Sequence, residues 1–118
     1  MSDLKTMTMK ILAFREARDW AQFHKPKDMA LSLMLEAGEV AEHFQWKSEA
    51  EAQAHIAAQR SEIGDELADV LYWVLLMAND CGVNLSESFE RKMAKNEAKY
   101  PVDQARGRHT KYVDLKPK

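Results

Sequence analysis

Residues 31–44 read LSLMLEAGEVAEHF, and residues 65–78 read DELADVLYWVLLMA. In the first stretch Leu33, Ala37, Val40 and Phe44 recur at intervals of three and four, continuing a stripe begun by Met29. That spacing predicts a helix from about 27 to 44 with one apolar face. In the second, Ile63, Leu67, Val70, Val74 and Met77 repeat the pattern, and the run from 70 to 78 is apolar on nearly every side. A helix over about 61–79, enclosed by its neighbours, is the expectation, with Gly82 as its stop.

The flanking segments extend the same reading. Met7, Ile11 and Phe14 pattern a first helix from about 8 to 23, after which Pro26 ends that helix or starts the next. Ser48 with Glu51 reads as a capping box that opens a polar, alanine-rich helical stretch to about residue 59. Asn84 with Glu87 gives a second capping signal, and Leu85, Phe89 and Met93 pattern a last helix ending before Tyr100 and Pro101. The tail beyond 101 is polar and expected to be extended. No segment alternates polar and apolar residues as a half-buried strand would. The predicted fold is therefore all-α, a four-helix-bundle type within one domain over 1–118, with an apolar surplus suited to burial between subunits.

Composition narrows the function classes. The chain has 118 residues, 46% of them apolar, enough for one core without disulfides. Seventeen basic residues against 19 acidic leave no broad basic field, so no stable nucleic-acid partner is expected. Cys81 is the single cysteine, which excludes an intrachain disulfide or a multi-cysteine metal site and reads as a small buried residue near a helix end. The longest apolar run is too short for a bilayer, and residues 1–10 lack a signal-peptide core. The expectation is a soluble, cytoplasmic protein without a membrane partner.

The chemistry lies in two carboxylate pairs. Glu36 and Glu39 are three residues apart, as are Glu66 and Asp69, so each pair shares one helical face at the margin of apolar packing. Several unpaired anions placed there must protonate, find a cation or bind a metal. Four hard oxygen donors suit Mg²⁺, with Mn²⁺ as a substitute, and a magnesium ion with open positions is commonly completed by substrate phosphates. Spacing alone does not single out these four: Glu42, Glu62 and Asp65 lie nearby, and Glu62 shares a face with Glu66. His43 stands four after Glu39 and is unmatched by a second Glu–His pair, so it reads as a partly exposed helix residue or a neighbour of a ligand.

With these residues in place the chain resembles the MazG-like all-α NTP pyrophosphatase superfamily, whose signature of Glu, two residues, Glu, a spacer, Glu, two residues, Asp is met by Glu36, Glu39, Glu66 and Asp69. The segments RDWAQFHKP (18–26), EAGEVAEHFQWK (36–47), DELADVLYW (65–73) and KMAKNEAKYP (92–101) look like its dCTP pyrophosphatase branch. The resemblance implies hydrolysis of a nucleoside triphosphate between its α and β phosphates by a homodimer or homotetramer. It also implies that the four acids chelate Mg²⁺ and that one of Glu36, Glu39 and Glu66 helps activate water. Trp20 and Trp46 fall where the family carries base-pocket tryptophans, Trp73 follows Asp69 by one helical turn, and an aromatic face is a platform for a base. Lys92, Asn96 and Tyr100, four apart on one helical face, match the family's phosphate and sugar contacts. Arg106, Arg108 and Lys111 add a basic group in the tail. Ile11 stands where some dCTP-preferring relatives place a histidine, which implies broader dNTP hydrolysis.

Two other functions fit parts of the same pattern. Amphipathic helices with an apolar surplus also suit a noncatalytic oligomerisation or regulatory module. Phosphoribosyl-ATP pyrophosphohydrolase is the related enzymatic alternative, against which the tryptophan-rich segments argue.

Overall fold

A computed structural model of the chain describes residues 3–115. Helices dominate: α1 (Leu4–Ala17), α2 (Pro26–Glu42), α3 (Glu49–Ala58), α4 (Arg60–Asp80), α5 (Leu85–Lys99) and the short α6 (Val102–Ala105), with 3-10 turns at Ala21–Phe23 and Tyr112–Asp114. No strand occurs among the described residues, as the periodicity predicts. The chain divides into two compact units, Met1–Gly82 and Val83–Lys118. The first gathers α1, α2 and α3 around α4, and the second holds α5 and the segments after it.

In the first unit α4 packs on all three other helices, α2 being its main neighbour. Met29 of α2 and Leu75 and Leu76 of α4 are the fully buried apolar side chains among the described residues. The expected enclosed helix is thus found, most closely covered in its second half. Leu67 departs from its predicted core stripe and is 53% exposed, and so are Phe89 and Met93 on α5, at 63% and 40%. Each of these side chains needs a further surface to be covered.

Local signals explain the helix ends. The Asp3 side chain accepts a hydrogen bond from the Thr6 N–H at 2.8 Å, so α1 begins about a turn before the predicted start. It ends at Ala17 rather than near 23, because Asp19 adopts a left-handed φ of 52° and turns the chain into the 3-10 segment. Pro26 opens α2 at a first-turn position where its missing N–H costs nothing. The Ser48–Glu51 capping box is complete, with Ser48 Oγ and Glu51 Oε1 each accepting from the other residue's backbone N–H, and it makes α3 a separate helix. Gly82, at φ 69°, follows the end of α4. Cys81 corrects one expectation: as the C-cap of α4 it is exposed. The tail is not simply extended either, since it forms α6 and a 3-10 turn whose Tyr112 meets Tyr100 edge-to-face at 6.2 Å and lies under the Lys99 ammonium.

One ion pair ties the two ends of the core together. Arg15 of α1 donates two hydrogen bonds, at 2.7 and 3.0 Å, to the carboxylate oxygens of Asp80 at the end of α4. Both side chains are mostly covered, and the guanidinium holds the Asp80 carboxyl below its usual range. Leu76→Ala should lower the unfolding free energy by about 2–5 kcal/mol in a urea titration. Met9→Ala, at a position 63% exposed, should change it by less than about 0.5 kcal/mol.

Candidate metal centre

Packing of α2 against α4 brings the two carboxylate pairs face to face. Glu36, Glu39, Glu66 and Asp69 each offer one oxygen, and these four atoms all lie within 4.8 Å of one another. Among the described residues no other group of three or more His, Cys, Asp or Glu side chains meets this condition, so Glu42, Glu62 and Asp65 do not form an alternative cluster. Glu36 and Glu66 are half-buried, while Glu39 and Asp69 are exposed.

The cluster lacks the partners that so many anions require. Glu36 Oε2 and Glu66 Oε2 are shielded from solvent and have no hydrogen-bond partner. Burial, followed by the charges of Glu39 and Asp69, raises the Glu36 pKa above its ordinary value. Glu66 is pushed up to about 7, first by sharing a hydrogen bond with Glu39, then by burial and by the charges of Glu39, Asp69 and Glu36. The donor set fits Mg²⁺ or Mn²⁺: four hard oxygens within 4.8 Å of one another are close to the span of an octahedral sphere, in which six oxygens at about 2.1 Å place opposite ligands about 4.2 Å apart. The orphaned oxygens and the raised carboxyls are the features a cation would relieve.

Asp69 also lines a cavity of about 640 Å³, so the acid cluster and the cavity share a wall. Ile11 and Phe14 of α1, Trp20, and Tyr72 and Trp73 of α4 supply its apolar lining, with Lys10 and His24 adding nitrogen groups. The left-handed Asp19 directs this wall. Immediately after it, the Trp20 N–H donates to Arg15 O at 3.1 Å, and the indole meets Phe14 edge-to-face at 5.6 Å. Arg18 lies over the Phe14 ring at 3.8 Å. Aromatic rings at right angles in a cavity of this size suit a planar, partly polar ligand.

Of the aromatic residues expected to bind substrate, Trp20 and Trp73 line this cavity and Trp46 does not. Trp46 sits in the turn after α2, 92% exposed and at φ 68°, a backbone state that costs a residue with a side chain about 1–2 kcal/mol. Lys92, Asn96 and Tyr100 form a separate group in the second unit, along α5 and at its C-cap. His24 was not picked out from the sequence. Its ring meets Trp73 at 5.3 Å, its Nδ1 is buried without a partner, and burial, with a smaller effect of Arg15, lowers its pKa. The available signal was its place in the RDWAQFHKP segment, one residue beyond a 3-10 turn that periodicity does not reveal.

Known proteins resemble the chain in sequence and in fold. The model of the MazG-like family matches residues 31–115. dCTP pyrophosphatase 1 of Rattus norvegicus is 44% identical to this chain over 104 residues, and that of Homo sapiens is 39% identical over 104 residues. In each case the match takes in 86% of this chain and 61% of the relative, so the chain spans about three-fifths of the length of these curated relatives. A crystal structure of a pyrophosphatase from Archaeoglobus fulgidus superimposes with a TM-score of 0.80 at 34% identity, covering 86% of this chain and 94% of that one.

The raised carboxyls set a pH dependence. Both carboxyls bind protons more tightly in the folded state than in the unfolded chain, so the stability this contributes is complete below about pH 4.5 and is lost as pH rises, for Glu66 through about 7. Without divalent ions, the melting temperature of wild type minus that of Glu66→Gln should fall across that interval, and added Mg²⁺ should raise the wild-type melting temperature more at pH 8 than at pH 5. A Mg²⁺ effect that is absent, or equal at both pH values, would contradict a metal site here.

Proposed function

The chain belongs to the MazG-like family, and we propose that it is a Mg²⁺-dependent nucleoside triphosphate pyrophosphohydrolase acting on dCTP or related and non-canonical dNTPs. The observation that carries the proposal is the wall shared by the four-acid cluster and the aromatic cavity, through Asp69. A ligand with an aromatic base at one end and a polyphosphate at the other matches that juxtaposition. The curated relatives are named for dCTP, and the solved relative for pyrophosphatase activity, which supports the same substrate class. The products are the monophosphate and pyrophosphate, and the role is removal of surplus or damaged nucleotides from the pool. A cytoplasmic setting belongs to this reading and agrees with the lone thiol of Cys81.

In this proposal Glu36, Glu39, Glu66 and Asp69 hold the ion. Bound there, Mg²⁺ would neutralise triphosphate charge, which is the larger part of what phosphoryl chemistry asks of a protein. Glu36, Glu39 and Glu66 are the carboxylates assigned to catalysis, one of them accepting a proton from the attacking water. Trp20 and Trp73 receive the base. His24, placed in the same cavity with a free ring nitrogen, offers it a polar contact. Lys92, Asn96 and Tyr100 are assigned to phosphate and sugar on the family pattern KM, N and YP.

The assembly proposed is a homodimer or homotetramer. Leu31, Met34 and Leu35 of α2 are 45%, 61% and 65% exposed, and Leu67 and Leu71 of α4 are exposed as well, an apolar surface of a kind that marks contact with another protein. Trp46, uncovered in the single chain, would then reach the base in a neighbouring subunit.

Incubation of the purified protein with a dNTP panel and Mg²⁺ should yield monophosphate and pyrophosphate. Release of orthophosphate alone, or no turnover, would refute the activity. Glu39→Gln should reduce turnover at least about a hundredfold with helicity unchanged. Sedimentation equilibrium should report a dimer or tetramer at micromolar concentration, and a monomer would contradict the assembly.

A further inference from the structure

His43, at the C-cap of α2, and His55, in the last turn of α3, are 12 positions apart, yet Nδ1 of the first lies 2.8 Å from Nε2 of the second. Their ring centroids are 5.0 Å apart, about the sum of that contact and the two distances from nitrogen to ring centre. The two nitrogens therefore point at each other. One imidazole donates and the other accepts, whereas a metal chelated by both would need their lone pairs to converge on a third point. Burial, then Lys47 and His43, favour the neutral His55 ring against the opposing charge of Glu62. Phe44 adds an edge-to-face contact with His55 at 6.0 Å.

This hydrogen bond closes residues 44–54 into a loop, and the loop carries Trp46. Before Trp46 the Gln45 N–H donates to Ala41 O at 3.0 Å, and the Lys47 N–H donates to Phe44 O at 3.2 Å across it. After it the Ser48–Glu51 capping box fixes the start of α3. The indole itself is 92% exposed, so its own packing does not hold the left-handed backbone. Such a conformation persists where its surroundings over-determine it.

We propose that the His43–His55 hydrogen bond is the staple that holds this turn, making the two histidines positioning residues for the Trp46 indole. The effect on base recognition rests on the contact assigned to Trp46 above, but the staple does not.

The test uses the full chain labelled with ¹⁵N-tryptophan, the backbone amide line of Trp46 being identified by its loss in Trp46→Phe. In wild type that line should stand apart from its position in urea. In His55→Leu and in His43→Leu it should move well towards the urea position with circular dichroism unchanged, and either variant suffices if the other loses helicity. The double variant His43→Asn with His55→Gln puts amide groups where Nδ1 and Nε2 stand and should keep the wild-type line. With dCTP, His55→Leu should raise KM about fivefold or more while kcat stays within about twofold, the pattern of a lost stacking contact. An unmoved Trp46 line in both leucine variants would overturn the staple. A moved line with unchanged KM would uphold the staple and overturn the base contact of Trp46.

Discussion

Four carboxylate oxygens within 4.8 Å of one another repel, and in this chain the packing of α2 on α4 is what forces them together. Neither helix can withdraw its acids without giving up the contacts of Met29, Leu75 and Leu76, the buried centre of the first unit. The repulsion is expressed in the raised pKa of Glu36 and Glu66 and in two shielded oxygens without partners. A cation resolves all of these at once, so the apolar core acts as the clamp that creates the site.

The cavity depends on the same core by a different route. Its walls come from α1 and α4, and the paired hydrogen bonds from Arg15 to Asp80 fix where those helices meet. Asp19 then turns the chain so that Trp20 covers the cavity beside Phe14. Two of the four acids and part of the aromatic wall thus share α4, with Asp69 belonging to both the cluster and the cavity and Tyr72 and Trp73 one turn further on. In the proposed function, chemistry at a triphosphate and recognition of a base would be set in register by the pitch of a single helix.

Much of this was legible before any coordinates. The stripe from Met29 to Phe44 and the apolar run from 70 to 78 predicted α2 and a central α4, because burial leaves a period in the sequence. The resemblance selected Glu36, Glu39, Glu66 and Asp69 where spacing could not, and the geometry supports the same four. Three features were not legible. The end of α1 at Ala17 depends on the backbone of Asp19, a residue tolerated in both helix and left-handed turn. The exposure of Cys81 follows from its place at a helix cap rather than from its type. The contact between His43 and His55 crosses two helices, and no local pattern announces it.

The central claim is that these four acids, and not their neighbours on the same helices, hold the divalent ion with the nucleotide. Mn²⁺ binding followed by electron paramagnetic resonance, with non-hydrolysable α,β-imido-dCTP present, tests it most directly. Bound Mn²⁺ should appear in wild type and in Glu62→Gln and be lost in Glu39→Gln. Binding that survives Glu39→Gln but disappears in Glu62→Gln would contradict the account.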